Sequence, residues 1–238
     1  AVAELFMVKD DEEAVELAKA CAAIDRVHER AADLLQPGRT EREIADELHA
    51  LILEEHANVQ FVIVGSGPNG SNPHHDFSDR VLEDGDPVVV DLGGALPSGY
   101  QSDCTRTHVV GEPAKASTDF LEAYAVLERA FDAACQAAKP GITAGELDAA
   151  AREVIDAAGY GEYFTHRLGH GIGLSGHEQP FIIAGSDVVL REGMAFSIEP
   201  GIYVPGKWGM RIEDIVRMTA NGIETLNHTR HTLGVNDV

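Results

Sequence analysis

The chain has 238 residues, enough for one large domain or two small ones, and its 44% apolar content, spread along the whole length, marks a globular protein. A formal charge of −22 repels a phosphate backbone and argues against nucleic acid as a partner. No apolar run approaches the roughly 20 residues of a membrane span and no secretory signal opens the chain, so no membrane partner is expected.

The first eight residues carry no structural signal, and a start at Ala1 without methionine reads as a processed or truncated terminus. Residues 1–9 are expected to be a lead-in, the remnant of a linker. From Asp10 to Gln36, apolar residues recur at helical spacing (Val15, Ala18, Cys21, Ala22, Val27, Ala31, Leu34, Leu35), and Pro37-Gly38 ends that helix. Thr40 and Glu43 form a capping-box pair that opens a second helix to about Glu55. Phe61 to Val64 reads as a strand, followed by a loop rich in Gly, Pro and Asn from Gly65 to Pro73. Strand signals return at Val88–Leu92 and Gln101–Val110. A long helix is expected from about Ser117 to Ala138, and another from Thr143 to Ala158 after Pro140-Gly141. The remainder reads as strand and loop, notably Ala195–Val204 and Met210–Thr219, with 231–238 as a tail. Three cysteines (Cys21, Cys104, Cys135), odd in number and widely spaced, point to reduced thiols and a cytoplasmic location. Lysine occurs only five times, which suits either a high-salt source or a genome that prefers arginine.

An internal repeat runs through this order. Pro37-Gly38-x-Thr40-x-x-Glu43 recurs as Pro140-Gly141-x-Thr143-x-x-Glu146, offset by 103 (140 − 37). Leu82, Gly85 and Asp91 recur as Leu190, Gly193 and Glu199 at an offset of 108, and Asp103 matches Glu213 at 110. Each half, about 10–110 and 117–226, therefore reads as two helices followed by two strands with one carboxylate on each strand. The expected architecture is α+β: a pseudo-twofold duplication with helices packed outside a curved, mainly antiparallel sheet, forming one domain over 10–230.

Three carboxylates interrupt runs that should be buried: Val88-Val89-Val90-Asp91, Phe196-Ser197-Ile198-Glu199 and Arg211-Ile212-Glu213-Asp214-Ile215. A buried, unpaired carboxylate is costly enough that it takes a proton, finds a cation or coordinates metal. The repeat would bring Asp91, Asp103, Glu199 and Glu213 together, and His170 supplies an imidazole. Oxygen-rich donors with one histidine favour two divalent ions, Mn²⁺ first, with Co²⁺, Fe²⁺ or Zn²⁺ also fitting. Such a pair, about 3.5 Å apart, acidifies a bridging water and polarises a carbonyl, so the natural reaction is hydrolysis. Strand alternation puts Thr105 on the face of Asp103 and Arg211 on that of Glu213, where each can support a ligand. His74, His166 and His177 lie near the proposed centre and could shuttle protons or stabilise a tetrahedral intermediate. Cys104 reads as a small core residue, and His28, His49 and His56 as structural or exposed. Gly169-His170-Gly171-Ile172-Gly173 lacks the strand-to-helix context of a dinucleotide fingerprint and reads as backbone allowing close approach to the site.

Over about residues 7–230 the chain resembles the pita-bread-fold metallopeptidases, which include methionine aminopeptidase, aminopeptidase P and prolidase. The motifs that carry the resemblance are Asp91-Leu-Gly, Ser102-Asp103-Cys-Thr-Arg-Thr107, His166-Arg-Leu-Gly-His170-Gly-Ile-Gly, Ser197-Ile-Glu199-Pro-Gly and Arg211-Ile-Glu213-Asp. The resemblance implies that Asp91, Asp103, His170, Glu199 and Glu213 bind the two metals, that Asp103 and Glu213 bridge them, and that Glu199 handles the nucleophile's proton. It places His74, His166 and His177 around the substrate. Ser-Asp-x-Thr-Arg-Thr and the histidine four residues before His170 look like the proline-specific branch. The implied activity is hydrolysis of the bond between an N-terminal residue and proline, by attack of a metal-bridging hydroxide. Short peptides with proline second are the expected partners, and a homodimer is left open. Relatives of that branch carry an additional N-terminal domain, so this chain is expected to be a piece of a longer protein. A dipeptidase also needs a cation for the substrate's terminal carboxylate, and residues 178–190 contain no Lys or Arg. Aminopeptidase P and prolidase activities therefore stay open. Methionine aminopeptidase, a non-catalytic binding module of the same fold, and a metal-independent hydrolase resembling creatinase are the alternatives.

Overall fold

The computed structural model describes residues 2–234. In chain order it contains α1 (Val2–Met7), α2 (Asp11–Leu34), α3 (Glu41–Glu55), β1 (Asn58–Ser66), β2 (Pro87–Ala95), β3 (Cys104–Val109), α4 (Thr118–Ala137) and α5 (Ala144–Ala157). Then follow β4 (Gly169–Gly171), β5 (Glu178–Ile182), β6 (Ala195–Ile198), β7 (Gly201–Val204), β8 (Trp208–Arg211), β9 (Asp214–Thr219) and β10 (Gly222–Thr225). No helix among the described residues is long and apolar enough to cross a membrane.

The helix starts follow from their caps. Thr40 accepts from the Glu43 amide while Glu43 reaches back to the Thr40 amide, and Thr143 and Glu146 do the same. Each box satisfies amides that the first helical turn leaves without partners. The Pro-Gly turns before them match as well: Gly38 and Gly141 have φ of 90° and 99°, a region that side chains avoid. Their amides donate to Leu82 O and Leu190 O, both at 2.9 Å.

The strands form a three-stranded sheet in the order β1-β2-β3, a five-stranded sheet β10-β9-β6-β4-β5 and the hairpin β7-β8, with every pair antiparallel. The triplet β1-β2-β3 corresponds to β4-β6-β9. Its registers sharpen the repeat and correct one match. Asp91 lies opposite Thr105, and continuing the β6–β9 register one residue past Ile198–Asp214 sets Glu199 opposite Glu213. At a uniform offset of 108, the mate of Glu213 is therefore Thr105, and that of Asp103 is Arg211. Thr105 and Glu213 also face each other across the two halves in an isolated antiparallel bridge. A residue bridged to its own repeat mate marks the pseudo-twofold axis. Matching by side-chain type paired the two carboxylates at 110, whereas backbone hydrogen bonds decide the register.

Other expectations shift too. Only Asp91 lies within a strand; Asp103 precedes β3, Glu199 follows β6, and Glu213 sits between β8 and β9. The Ala195–Val204 run breaks at Glu199-Pro200 into β6 and β7, which belong to different sheets. The N-terminal residues are part of the body: Met7 packs in the core of the second half, Val8 bridges Met194, and the buried Lys9 pairs with Glu178 at 2.5 Å. A six-residue helix is too short to carry a periodic signal, so only tertiary contacts stabilise it. Of the expected tail, 235–238 lie outside the described residues.

Among the described residues, three apolar clusters make up the core, a small one around Leu17, Tyr100 and Ile215 and two larger ones. In one, Ile24, Ile44, Leu48 and Ile52 of α2 and α3 pack on Val88, Val90 and Cys104 of the first sheet. In the other, Phe120, Leu127, Leu147 and Ile155 of α4 and α5 pack on Phe196 and Val216 of the second. Burial of each such side chain contributes about 1.5–3 kcal/mol. His28 and His56 are buried and structural, bonding Cys104 O and Ser102 Oγ at 2.9 Å each, and His49 is exposed.

Candidate metal centre

The two sheets meet along the Thr105–Glu213 bridge, and a cavity of about 710 Å³ opens there. Its floor holds Asp91, Asp103, His170, Glu199 and Glu213, and its walls include His74, His166, His177 and Arg211. Nine of the ten residues singled out from the sequence thus line one space; Thr105 lies behind Glu213.

The donor atoms converge. His170 Nε2 lies 3.2 Å from Glu199 Oε1, 3.5 Å from Asp103 Oδ2 and 3.9 Å from Glu213 Oε1. Three groups have ligand atoms within 4.8 Å of one another: Asp103–His170–His177, His170–Glu199–Glu213 and Asp91–Asp103–Glu213. Asp103 and Glu213 each belong to two of them, one on either side. The His170 ring contacts the Gly171 carbonyl through Nδ1 at 3.0 Å. A carbonyl can only accept, so Nδ1 carries the proton and Nε2 turns its lone pair to the carboxylates.

Support for these donors crosses between the halves. Thr105, from the strand after Asp103, donates to Glu213 Oε2 at 2.7 Å. Arg211, two residues before Glu213, donates to Asp91 Oδ2 at 2.5 Å and to Thr105 Oγ1 at 3.0 Å. Both were expected to support ligands, and each bonds a carboxylate of the other half, the two halves meeting at the Thr105–Glu213 bridge. Arg211 also donates to Tyr203 Oη at 2.6 Å, and Tyr203 meets His166 Nε2 at 2.9 Å. His166 Nδ1 donates to Arg167 O at 2.7 Å, so Nε2 accepts the Tyr203 hydroxyl proton. The glycines of the His170 motif serve strand packing: a Cβ on Gly169 or Gly171 would meet Ser197 O at 1.9 Å or Gln179 O at 2.2 Å.

Sequence reasoning missed Glu41, Tyr203 and the two further arginines of the cavity, Arg152 and Arg167. Glu41 is fully buried at the start of α3 and accepts from Ser66 N and Oγ, Asn69 Nδ2, His75 Nε2, and Ser78 N and Oγ, at 2.6–3.0 Å. It ties down the loop that presents His74. A glutamate in a first helical turn reads as an ordinary dipole partner, so nothing local reveals this task. Arg167 had a signal, since it lies inside His166-Arg-Leu-Gly-His170.

The cluster fits divalent cations. Among the described residues, Asp91 Oδ1 and Glu213 Oε1 are buried with no hydrogen-bond partner, and of the four carboxylates only Asp91 has an arginine ion pair, with Arg211. Without a cation, burial and then the charges of Asp91 and Glu199 push Asp103 well above the usual carboxylate range. Burial and then the Asp103 charge do the same to Glu213, and burial holds Glu199 up at about 7. Burial, reinforced by His177, holds His170 down at about 3.

These shifts set the stability of the metal-free protein. A carboxyl whose folded-state pKa is raised stabilises the fold below its unfolded value of 4.5 and loses that contribution as pH rises through about 7. The depressed His170 acts oppositely: its contribution is complete above 6.5 and is lost as pH falls towards 3. Thermal unfolding of chelator-treated protein should therefore show Tm falling as pH rises from about 6.5, above which His170 no longer opposes the change, through about 7, and a saturating divalent metal should remove the fall. A metal-free Tm that stays level or rises across that window contradicts this electrostatic picture.

The comparisons with known proteins agree. The model of metallopeptidase family M24 matches residues 15–220. A protein of Mycobacterium tuberculosis named probable dipeptidase PepE is 55% identical over 230 residues, covering 96% of this chain and 60% of the relative. An Xaa-Pro dipeptidase of Lactobacillus delbrueckii subsp. lactis is 44% identical over 238 residues, covering 98% and 63%. The crystal structure of dipeptidase PepE from Mycobacterium ulcerans superposes with a TM-score of 0.94 at 54% identity, covering 97% of this chain and 62% of that one. The chain therefore spans less than two thirds of the length of these relatives. Its fold is the pita-bread fold that the motifs imply, and with its family's model matched over most of its length the chain belongs to metallopeptidase family M24.

Proposed function

We propose that this chain is the catalytic unit, over residues 10–230, of a dinuclear metal-dependent exopeptidase that hydrolyses the bond between an N-terminal residue and proline. The convergence of Asp91, Asp103, His170, Glu199 and Glu213 on one cavity floor carries this reading. Asp91, Asp103 and Glu213 would hold one ion, His170, Glu199, Asp103 and Glu213 the other, with Mn²⁺ first among candidates for an oxygen-rich set. Two such ions polarise a scissile carbonyl and acidify water.

The chain's own residues supply the rest. Glu199, bonded by Ser197 Oγ at 3.0 Å, is placed to take a proton from the nucleophile and return it to the leaving nitrogen. That nitrogen needs the proton in particular, because the imide of an X-Pro bond has no N–H. His177, its ring 4.1 Å from that of His170, and His74 stand over the floor from two loops, where they can donate to the oxygen that gains charge. His166, fixed by Tyr203 and held down at about 3 by burial and then by Arg211, is neutral and accepts rather than protonates. Phe61, Ile63, Phe164 and Ile183 form an apolar wall that suits a proline ring.

The decisive measurement offers the Mn²⁺-loaded protein Ala-Pro, Ala-Pro-Ala and Met-Ala-Ser. Cleavage of the proline peptides and not of Met-Ala-Ser is expected. Cleavage of Met-Ala-Ser alone would place the chain with methionine aminopeptidases, and no cleavage at all would favour a binding module.

A further inference from the structure

Three arginines line the cavity, and two of them are each held by several hydrogen bonds within the protein. Arg211 serves Asp91, Thr105 and Tyr203. Arg152 grips Asp148 through Nε at 2.8 Å and Nη2 at 3.0 Å, donates also to Phe164 O and His166 O, and lies 4.1 Å from the Phe164 ring centroid. Arg167 differs. Its Nε is buried without a partner, and among the described residues its guanidinium makes no hydrogen bond or ion pair. Its one side-chain contact of note is the Phe181 ring, 4.9 Å from Cζ to centroid.

An unpaired buried donor costs free energy, and a charged one costs more, so such a group calls for a ligand. The mount is rigid. The Arg167 carbonyl accepts from His166 Nδ1, and the next amide, Leu168 N, donates to Asp148 Oδ1 at 3.0 Å and Ile182 O at 2.9 Å. The guanidinium carbon lies over the Phe181 ring, and a guanidinium is a planar fork whose geometry matches a carboxylate. The other charged groups of the cavity are carboxylates of the floor and arginines already engaged, so an incoming anion finds its free cation here. From this we infer that Arg167 binds the free C-terminal carboxylate of the substrate and makes the site selective for dipeptides over longer peptides. A longer chain presents a neutral amide at that position. The missing cation of residues 178–190 would thus come from the loop before β4, beside an aromatic ring within that stretch. This deepens the peptidase reading and rests on it.

The test separates the two. Binding of proline and of prolinamide, neither of which can be cleaved, is measured by calorimetry on the metal-loaded protein, and cleavage of Ala-Pro and Ala-Pro amide is followed in parallel. Wild type is expected to prefer proline by about 10- to 100-fold, the range for a hydrogen-bonded charge pair, and Arg167→Met to lose that preference. Arg167→Lys should restore part of it, as a point charge without the fork. The ratio of kcat/KM for Ala-Pro over Ala-Pro amide should collapse in the Met variant alongside the binding preference. Equal binding of proline and prolinamide by wild type, or a preference that survives Arg167→Met, overturns the assignment. If no peptide is cleaved, the peptidase reading fails, while the proline–prolinamide difference still decides the role of Arg167. Arg167 has no polar protein partner to lose, so the Met variant is expected to fold like wild type.

Discussion

Asp103→Ala is expected to abolish metal loading and peptide hydrolysis together. Asp103 belongs to donor groups on both sides of the proposed centre, with His170 on one and with Asp91 and Glu213 on the other, so under the two-metal proposal its loss would strip a ligand from each ion. Metal content should fall below one ion per chain, and kcat/KM on Ala-Pro by at least about 10³-fold, since each 1.36 kcal/mol of lost transition-state stabilisation is a factor of ten. The fold should survive. Without metal, burial and the charges of Asp91 and Glu199 oppose ionisation of Asp103, so its removal relieves that conflict. Chelator-treated Asp103→Ala should therefore melt no lower than chelator-treated wild type at pH 8. Wild-type activity in the variant would exclude the two-metal assignment, and a collapse of the metal-free fold would show that Asp103 has a structural partner other than the ions.

Arg211→Met is expected to be the most destabilising single change among the site residues. The buried guanidinium donates to Asp91 Oδ2, Thr105 Oγ1 and Tyr203 Oη, and reaches Pro73 O at 3.4 Å. Methionine fills much of the space and leaves every one of these acceptors without its donor. Breaking one side of a buried ion pair costs about 3–5 kcal/mol, and urea denaturation of the metal-loaded protein should show a loss of that order. Arg211→Lys should recover little, because one ammonium cannot span three partners on different strands. The variant should also raise KM, since Tyr203 loses the donor that orients it towards His166. A loss below about 1 kcal/mol would mean that the ions, and not Arg211, balance Asp91.

How much of this was legible beforehand depended on the range of the interaction that carries each feature. The capping boxes at Thr40 and Thr143 act over three residues, so their residue pairs announce the helix starts directly. The five donors were legible because a carboxylate in an apolar run is locally anomalous and needs an explanation. Glu41 was not, since its partners Ser66, Asn69, His75 and Ser78 lie 25–37 residues away along a loop that has no period. The helix Val2–Met7 was invisible for a similar reason, its stability coming from Met7 and Lys9 docking on the second half.

By itself, the sequence pointed to the family, the duplication and the five residues that the structure brings together, because residue type, local capping and strand-length apolar runs are properties of neighbouring positions. Only the tertiary structure decided which residue mates with which across the pseudo-axis, that Thr105 and Arg211 serve carboxylates of the opposite half, and that Arg167, alone of the three cavity arginines, makes no side-chain hydrogen bond or ion pair among the described residues. Those facts rest on backbone registers and contacts between positions about a hundred residues apart, such as Thr105 with Glu213 and Asp91 with Arg211. No local pattern encodes them, because the free energy of each contact exists only once both halves have folded against one another.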